Sequence, residues 1–223
     1  MRTVIIIQAR LGSTRLPNKV LLPIDGKPML EWVIERCRAS QYLVCVAIPV
    51  EPGWEEIRML ASKRGAFPFV DTKSPVSDLA RRYRLAAECM AADFIIRVPG
   101  DNPCVDPVVI HETVAAGVGP MQLRTTLDQD VCGSGRSGGL GCELYLYETL
   151  KWLDESQHDV RYREHPHSWF LTHGAAWSIP CAEDARRPDL RFDVNTAEDL
   201  QKIRDIYYKL GPDFRTKELL SLY

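Results

Sequence analysis

Arg10, Arg15 and Lys19 place three cationic side chains within ten residues, with Gly12, Ser13 and Thr14 among them. Guanidinium and ammonium groups bind phosphate oxygens through charge-assisted hydrogen bonds. A glycine lets the backbone approach a ligand closely, and hydroxyls and main-chain amides add further donors. A run of negative oxygens, such as a triphosphate, suits this combination. The spacing is not that of a Walker A loop, because Gly-x-x-x-x-Gly-Lys-Ser/Thr is absent. Nor is it a nucleophile elbow, since Gly12 directly precedes Ser13. On an arbitrary surface loop such arginines would make only weak ion pairs, so the position of the loop matters.

The loop follows Val4 to Gln8, a β-branched apolar run of the kind buried on both faces of a parallel sheet. Ligands of open α/β sheets bind at the carboxyl ends of strands, where this loop begins. Asp25-Gly26-Lys27-Pro28 forms a turn into a helix on which Leu30, Val33, Ile34 and Cys37 recur at helical spacing. Leu43 to Pro49 repeats the strand pattern, and residues 53–64 repeat the helical one with Trp54, Ile57, Leu60 and Ala61 on one face. A short strand over Phe67 to Val70, a helix from Ser77, its expected cap, to Met90, and a strand over Asp93 to Val98 continue the alternation. The expected architecture is α/β, with a parallel sheet covered by helices on both faces.

From about residue 120 the pattern changes, and Gly133 to Gly139 has the glycine content of a long loop. Residues 120–170 therefore read as an insertion within one domain spanning 1–223. Leu190 to Val194 is expected as a late strand. Thr196 to Leu210 follows as a helix, with Thr196 and Asp199 forming an approximate capping box.

Composition excludes several classes. The 28 Lys and Arg against 30 Asp and Glu leave a net charge of −2, so no basic surplus exists to bind nucleic acid. Seven cysteines without a Cys-x-x-Cys pair suggest reduced, mostly buried thiols and a cytoplasmic setting. Val4 to Ile7 is too short for a signal core or a membrane span, so no membrane partner is expected.

Gln8-Ala9-Arg10-x-x-Ser13-x-Arg15-Leu16-Pro17-x-Lys19, followed by Pro23-x-x-Gly26-Lys27-Pro28-Met29-Leu30, resembles the signature of CMP-sugar synthetases. It resembles in particular the spore coat polysaccharide biosynthesis branch of the cytidylyltransferases, kin to the synthetases that activate 3-deoxy-octulosonate and sialic acid. Further likeness lies in Ser77 to Tyr83, Arg97 to Pro103, Arg163-Glu164-His165 and Asn195 to Leu200. The resemblance implies a Rossmann-like, three-layer α/β/α nucleotidyltransferase fold of the GT-A type, with a mostly parallel sheet and an inserted arm that joins a homodimer.

It also implies transfer of CMP from CTP to a small acidic acceptor, such as a sugar acid, phosphate or phosphonate, with release of pyrophosphate. Arg10, Arg15 and Lys19 would then be catalytic, acting on the phosphates. Backbone near Ala9 would face cytosine, and Gly12, Ser13, Asp78 and Gly100 would complete the nucleotide site. Asp101 would bind Mg²⁺. A second ligand is expected where cytidylyltransferases carry Asp in an Asp-Thr-x-Glu-Asp run; this chain has Asn195 there, and Asp193 two residues earlier on the same side of a strand. Asn18 replaces the usual Gly before Lys19, and Asn tolerates the left-handed backbone better than most residues.

Attack by an acceptor oxygen on the α-phosphorus brings two anions together, so a site must neutralise charge and align the reactants. Carboxylate and amide oxygens suit hard Mg²⁺, which keeps waters and takes one or two protein ligands. Asp101 is equally suited to the turn in Gly100-Asp101-Asn102-Pro103. Glu143, Arg163 and His165 are the candidates for acceptor binding. Glu143 could instead pair with an arginine, and His165 could belong to a solvated polar run with Arg161, Glu164 and His167. Cys104 and Cys142 read more readily as packing residues. With no Ser-His or Cys-His pair in evidence, direct displacement is preferred to a covalent intermediate. Use of UTP or GTP, or a non-catalytic nucleotide- or sugar-binding role, are the alternatives.

Overall fold

The computed structural model describes residues 1–126 and 134–223; Cys132 and Gly133, the latter opening the expected glycine-rich loop, lie outside them. In chain order, β1 (Thr3–Gln8) leads through the cationic loop and a 3-10 turn to a small hairpin of β2 (Pro23–Ile24) and β3 (Lys27–Pro28). Then come α1 (Met29–Ala39), β4 (Leu43–Pro49), α2 (Trp54–Lys63), β5 (Phe67–Asp71), α3 (Leu79–Cys89) and β6 (Phe94–Pro99). The chain continues with α4 (Pro107–Ala116), β7 (Leu123–Thr125), β8 (Glu143–Leu146), α5 (Tyr147–Ser156), α6 (Val160–Glu164), α7 (Pro166–Thr172) and β9 (Ala176–Ser178). It ends with α8 (Ala197–Leu210) and α9 (Thr216–Leu220).

Among the described residues, seven strands form one sheet in the order β5-β4-β1-β6-β8-β7-β9. Only β8 runs against its neighbours β6 and β7; the other pairs are parallel. Alternate residues of β1 enter two separate cores, as the two-residue period of a strand dictates. Ile5 and Ile7 pack with α1, α2, α4 and α8, whereas Val4 and Ile6 pack with α3, α5 and α7. The result is the three-layer α/β/α arrangement with a mostly parallel sheet. Successive strands step outward from β1 to β4 and β5, then return to β6 on the other side. Such a reversal leaves a crevice beyond the carboxyl ends of the two central strands, and here it lies beyond β1 and β6. No described helix is long and apolar enough to cross a membrane.

Two boundaries differ from the sequence expectation. Asp78, not Ser77, caps α3, its carboxylate accepting from the Arg81 amide at 3.2 Å. Both residue types are good caps, and the nearer one to the first helical turn takes the role. Leu190 to Val194 is not a strand. Its buried Phe192 and Val194 gave the strand-like pattern, but its amides bond to loops: Phe192 to the Gly138 carbonyl at 2.8 Å and Val194 to the Asp101 carbonyl at 2.9 Å. A single bridge between Gly138 and Arg191 is all the ladder it forms. Within 120–170, β7 and β8 enter the central sheet and α5, α6 and α7 carry the chain onward.

The start of α8 is the capping box that Thr196 and Asp199 suggested. The Asp199 carboxylate accepts from the amides of both Asn195 and Thr196 at 2.9 Å, so the cap also fixes the backbone of Asn195. Thr196→Ala should cost about 1 kcal/mol of stability in urea unfolding; an unchanged midpoint would show that the Thr196 hydroxyl contributes nothing to this end of α8.

Candidate active site

A cavity of about 240 Å³ opens in the crevice beyond β1 and β6. One wall is the cationic loop, which contributes Ala9, Arg10, Ser13, Arg15 and Lys19. Gly100 and Asp101 after β6, His165 at the end of α6 and Asn195 before α8 complete the set of expected residues that line it. The loop's geometry follows from two backbone requirements. Asn18 sits in the left-handed region at φ 55°, a position where Asn replaces Gly at small cost. Gly100 donates its amide to the Gln8 carbonyl at 2.9 Å, and a Cβ there would stand 2.5 Å from that oxygen, so only glycine lets β1 and the turn after β6 approach this closely.

The charged groups interlock across the cavity. The Lys19 ammonium donates to Asp101 Oδ2 at 2.5 Å, the Val194 carbonyl at 2.8 Å and Asn195 Oδ1 at 3.3 Å. Arg15 donates to the same Asn195 oxygen at 2.7 Å. Asn195 in turn donates through Nδ2 to Asp193 at 2.6 Å, and Asp193 is clasped by Arg191. Asn195 therefore faces the cavity with Asp193 behind it, outside the lining. Arg10, from the same loop, lies 4.0 Å from Glu164.

Besides Asp193, four expected site residues lie off the cavity. The amides of Leu11 and Gly12 donate to the Glu51 carboxylate at 2.5 and 3.1 Å, so Gly12 faces away from the cavity. Arg163 has its donors taken by Asp78 at 2.7 Å, by Asp154 at 2.6 Å and by the carbonyls of Asp154 and Gln157. Asp78 and Arg163 thus tie α6 to α3 rather than meeting a ligand, because each charge has found its counterion in another helix. Glu143 on β8 is 2 % exposed, and Arg97 donates to it at 2.6 Å and the Tyr145 hydroxyl at 2.5 Å. The arginine pairing considered for Glu143 is the one found. Cys104 and Cys142 are buried, and burial pushes both thiols up to about 12, consistent with packing.

Thr14 of the cationic loop lines the cavity, as do residues to which the sequence assigned no site role: Gln8, the last residue of β1, and Glu164, Ser77 and Arg82. Arg82 is 1 % exposed, pairs with Asp71 and donates to the carbonyls of Val76 and Pro75, so it holds the turn that brings Ser77 to the wall. The sequence signals for Gln8 were its place at a strand's carboxyl end and at the head of the signature that runs through the cationic loop.

Among the described residues, no three His, Cys, Asp or Glu side chains converge as a metal cage. A hard cation that shares its shell with phosphates and water needs only one or two protein oxygens. Asp101, a quarter exposed and with Oδ1 unbonded among the described residues, fits that requirement, with the Asn195 amide oxygen alongside. The chemistry of this donor set suits Mg²⁺.

Beneath the cavity, burial pushes His167 down to about 4 and Arg97 adds to the effect, outweighing the attraction of Glu143. Burial alone would raise the Glu143 carboxyl, but Arg97, His167 and Tyr145 hold it below its ordinary value. Between the ordinary histidine pKa of 6.5 and about 4, the unfolded chain takes up a proton at His167 that the folded protein refuses. The stability held above pH 6.5 should therefore fall, by on the order of 2–3 kcal/mol at this residue, as pH drops toward 4. Urea unfolding across that range should show a flatter pH dependence in His167→Gln; identical slopes would remove His167 as the cause.

Comparison with known proteins bears on family and fold. A cytidylyltransferase family profile matches residues 4–129, more than half of the chain, including the cationic loop and Asp101. The spore coat polysaccharide biosynthesis protein SpsF of Bacillus subtilis is 28% identical over 231 residues, covering 97% of this chain and 92% of that protein. A 3-deoxy-manno-octulosonate cytidylyltransferase of Acidobacterium capsulatum is 36% identical over 122 residues, covering 55% of this chain and 49% of that enzyme. The fold is shared with a cytidylyltransferase structure from Leptospira borgpetersenii, at TM-score 0.86 and 24% identity over 100% of this chain and 93% of the other. It is shared also with CMP:2-keto-3-deoxy-manno-octonic acid synthetase complexed with CTP, at TM-score 0.66 and 18% identity over 94% and 99% of the two chains. From its cationic loop and the sequence that carries it, the chain belongs to the cytidylyltransferase family.

Proposed function

We propose that the protein transfers CMP from CTP to a small acidic acceptor of the sugar-acid class, in a Mg²⁺-dependent reaction that releases pyrophosphate. The observation that carries this reading is the convergence of Arg15 and Lys19 on Asp101 and Asn195 in one cavity that Arg10 also lines. The named activity of the Acidobacterium relative supports a sugar-acid acceptor.

Arg10, Arg15 and Lys19 would bind the triphosphate oxygens, exchanging carboxylate and amide partners for phosphate ones. Fixed cations in a partly closed cavity stabilise the charge that grows as pyrophosphate departs, and they need no reorganisation at that moment. Asp101 and Asn195 would hold Mg²⁺, which when bound supplies Lewis-acid neutralisation of phosphate charge. Ser13 and the backbone near Ala9 are placed to contact the nucleotide. His165, which lines the cavity beside Glu164, would orient the acceptor hydroxyl or receive its proton. Arg163 serves this reading indirectly, by pinning the helix that presents His165.

Calorimetric titration with CTP, UTP, GTP and ATP, with and without Mg²⁺, tests the reading directly. Selective CTP binding, followed by pyrophosphate release with 3-deoxy-manno-octulosonate, supports it. Preference for UTP or GTP would redirect it, and no binding would refute it. Arg15→Ala should lose CTP affinity and turnover tenfold or more while keeping its fold, as removal of a charge-assisted contact requires. Asp101→Ala should abolish Mg²⁺-dependent turnover and retain much of the nucleotide binding; full turnover in that variant would remove Asp101 from the site.

A further inference from the structure

Gln8 ends β1 at the floor of the cavity, and its side-chain oxygen is held by two donors. The Tyr83 hydroxyl hydrogen-bonds to Oε1, and Arg97 Nε donates to the same oxygen at 3.1 Å. Arg97 Nε also reaches the Tyr83 oxygen at 3.1 Å. A guanidinium has no acceptor, so the carboxamide cannot be reversed without setting N–H against N–H. Burial pushes the Tyr83 phenol up to about 12, so it remains a hydroxyl and a donor. Arg97 is itself fixed by Glu143, which the Tyr145 hydroxyl braces from the other oxygen. The carboxamide is thus oriented by a buried chain of four side chains, Tyr145, Glu143, Arg97 and Tyr83.

That chain leaves the Gln8 amide nitrogen without a partner among the described residues. It is not among their buried, unpartnered side-chain atoms, and the residue lines the cavity. We propose that Gln8 is a specificity-determining residue: with its oxygen held inward by Arg97 and Tyr83, its NH₂ group is a fixed donor to a carbonyl or carboxylate oxygen of the bound ligand. This rests on the cytidylyltransferase reading of the cavity, in which two groups carry such an oxygen, the cytosine ring and the carboxylate of a sugar acid. A donor aimed in advance discriminates more sharply than a mobile one, because a ligand without the matching acceptor leaves it unpaired.

Gln8→Glu is the informative variant. Its two oxygens can still accept from Tyr83 and Arg97, so the network survives while the donor becomes an acceptor. Gln8→Ala deletes the group and leaves Tyr83 and Arg97 bonded to one another. CTP and UTP affinities, and the affinity of the CTP-loaded protein for 3-deoxy-manno-octulosonate, are measured by calorimetry, with circular dichroism reporting the fold. A loss of CTP affinity of about tenfold in both variants, shared by UTP because uracil carries the same ring carbonyl, places the donor on the base. Unchanged CTP affinity with about tenfold weaker acceptor binding places it on the sugar acid. Unchanged CTP affinity without a loss of acceptor binding, in a folded variant of a wild type that binds CTP, overturns the proposal alone. A wild type that binds no nucleotide overturns the function and this role of Gln8 together.

Discussion

Three cations around one cavity repel one another, and in the ligand-free protein that repulsion must be met by interleaved oxygens. Lys19 is surrounded by Asp101, the Val194 carbonyl and Asn195, Arg15 shares the Asn195 oxygen, and Arg10 lies within 4.0 Å of Glu164. These counter-groups come from the turn after β6, from the segment before α8 and from the end of α6, so the cavity exists only when three distant parts of the chain have reached the end of β1. The Gly100 contact with the Gln8 carbonyl and the capping box at Thr196 set two of those approaches. A triphosphate entering this cavity would replace protein oxygens with its own. The cations would keep nearly the same surroundings, so little new ordering is needed.

Around that centre lie two ionic systems that do not line the cavity, one part-buried and one buried. Arg163 with Asp78 and Asp154 locks α6 against α3 and α5, while Arg97 with Glu143 spans β6 and β8. Buried ion pairs often contribute little net stability against apolar replacements, but removing one partner strands the other charge at a cost of several kcal/mol. They make the relative placement of these elements nearly all-or-none. For a site assembled from separate helices and strands, that placement is the useful property.

How much of this was legible in the sequence follows the range of each interaction. The apolar runs of β1, β4 and β6, the cationic loop and the Thr196 capping box are local patterns, and they appear where the residues put them. Leu190 to Val194 shows the limit of such patterns: an apolar run reports burial, and its hydrogen-bond partners turned out to be loops. Glu143, Arg163 and Asp78 carry the charges a ligand site would want, yet each is consumed by a partner 46 to 85 residues away. Spacing alone cannot tell an acid that awaits a ligand from one that already has its arginine. Gln8 was overlooked for the opposite reason, since a neutral amide at a strand end acquires direction only from Tyr83 and Arg97, which fold in from elsewhere.

Glu51 gives the loop a further property. By accepting from the amides of Leu11 and Gly12, it fastens the loop from outside the cavity, on the side away from the three cations. A loop whose amides were all reserved for a ligand would be held open only by that ligand and would have to be ordered anew at each encounter. Here the entropy of fixing its first residues is lost once, during folding, and the cationic face meets its ligand as part of an already rigid surface. Because the anchor is a carboxylate beside a cationic loop, it also offsets part of the loop's charge from behind. The attraction felt by an approaching anion is thereby concentrated at the mouth of the cavity instead of being spread around the whole turn.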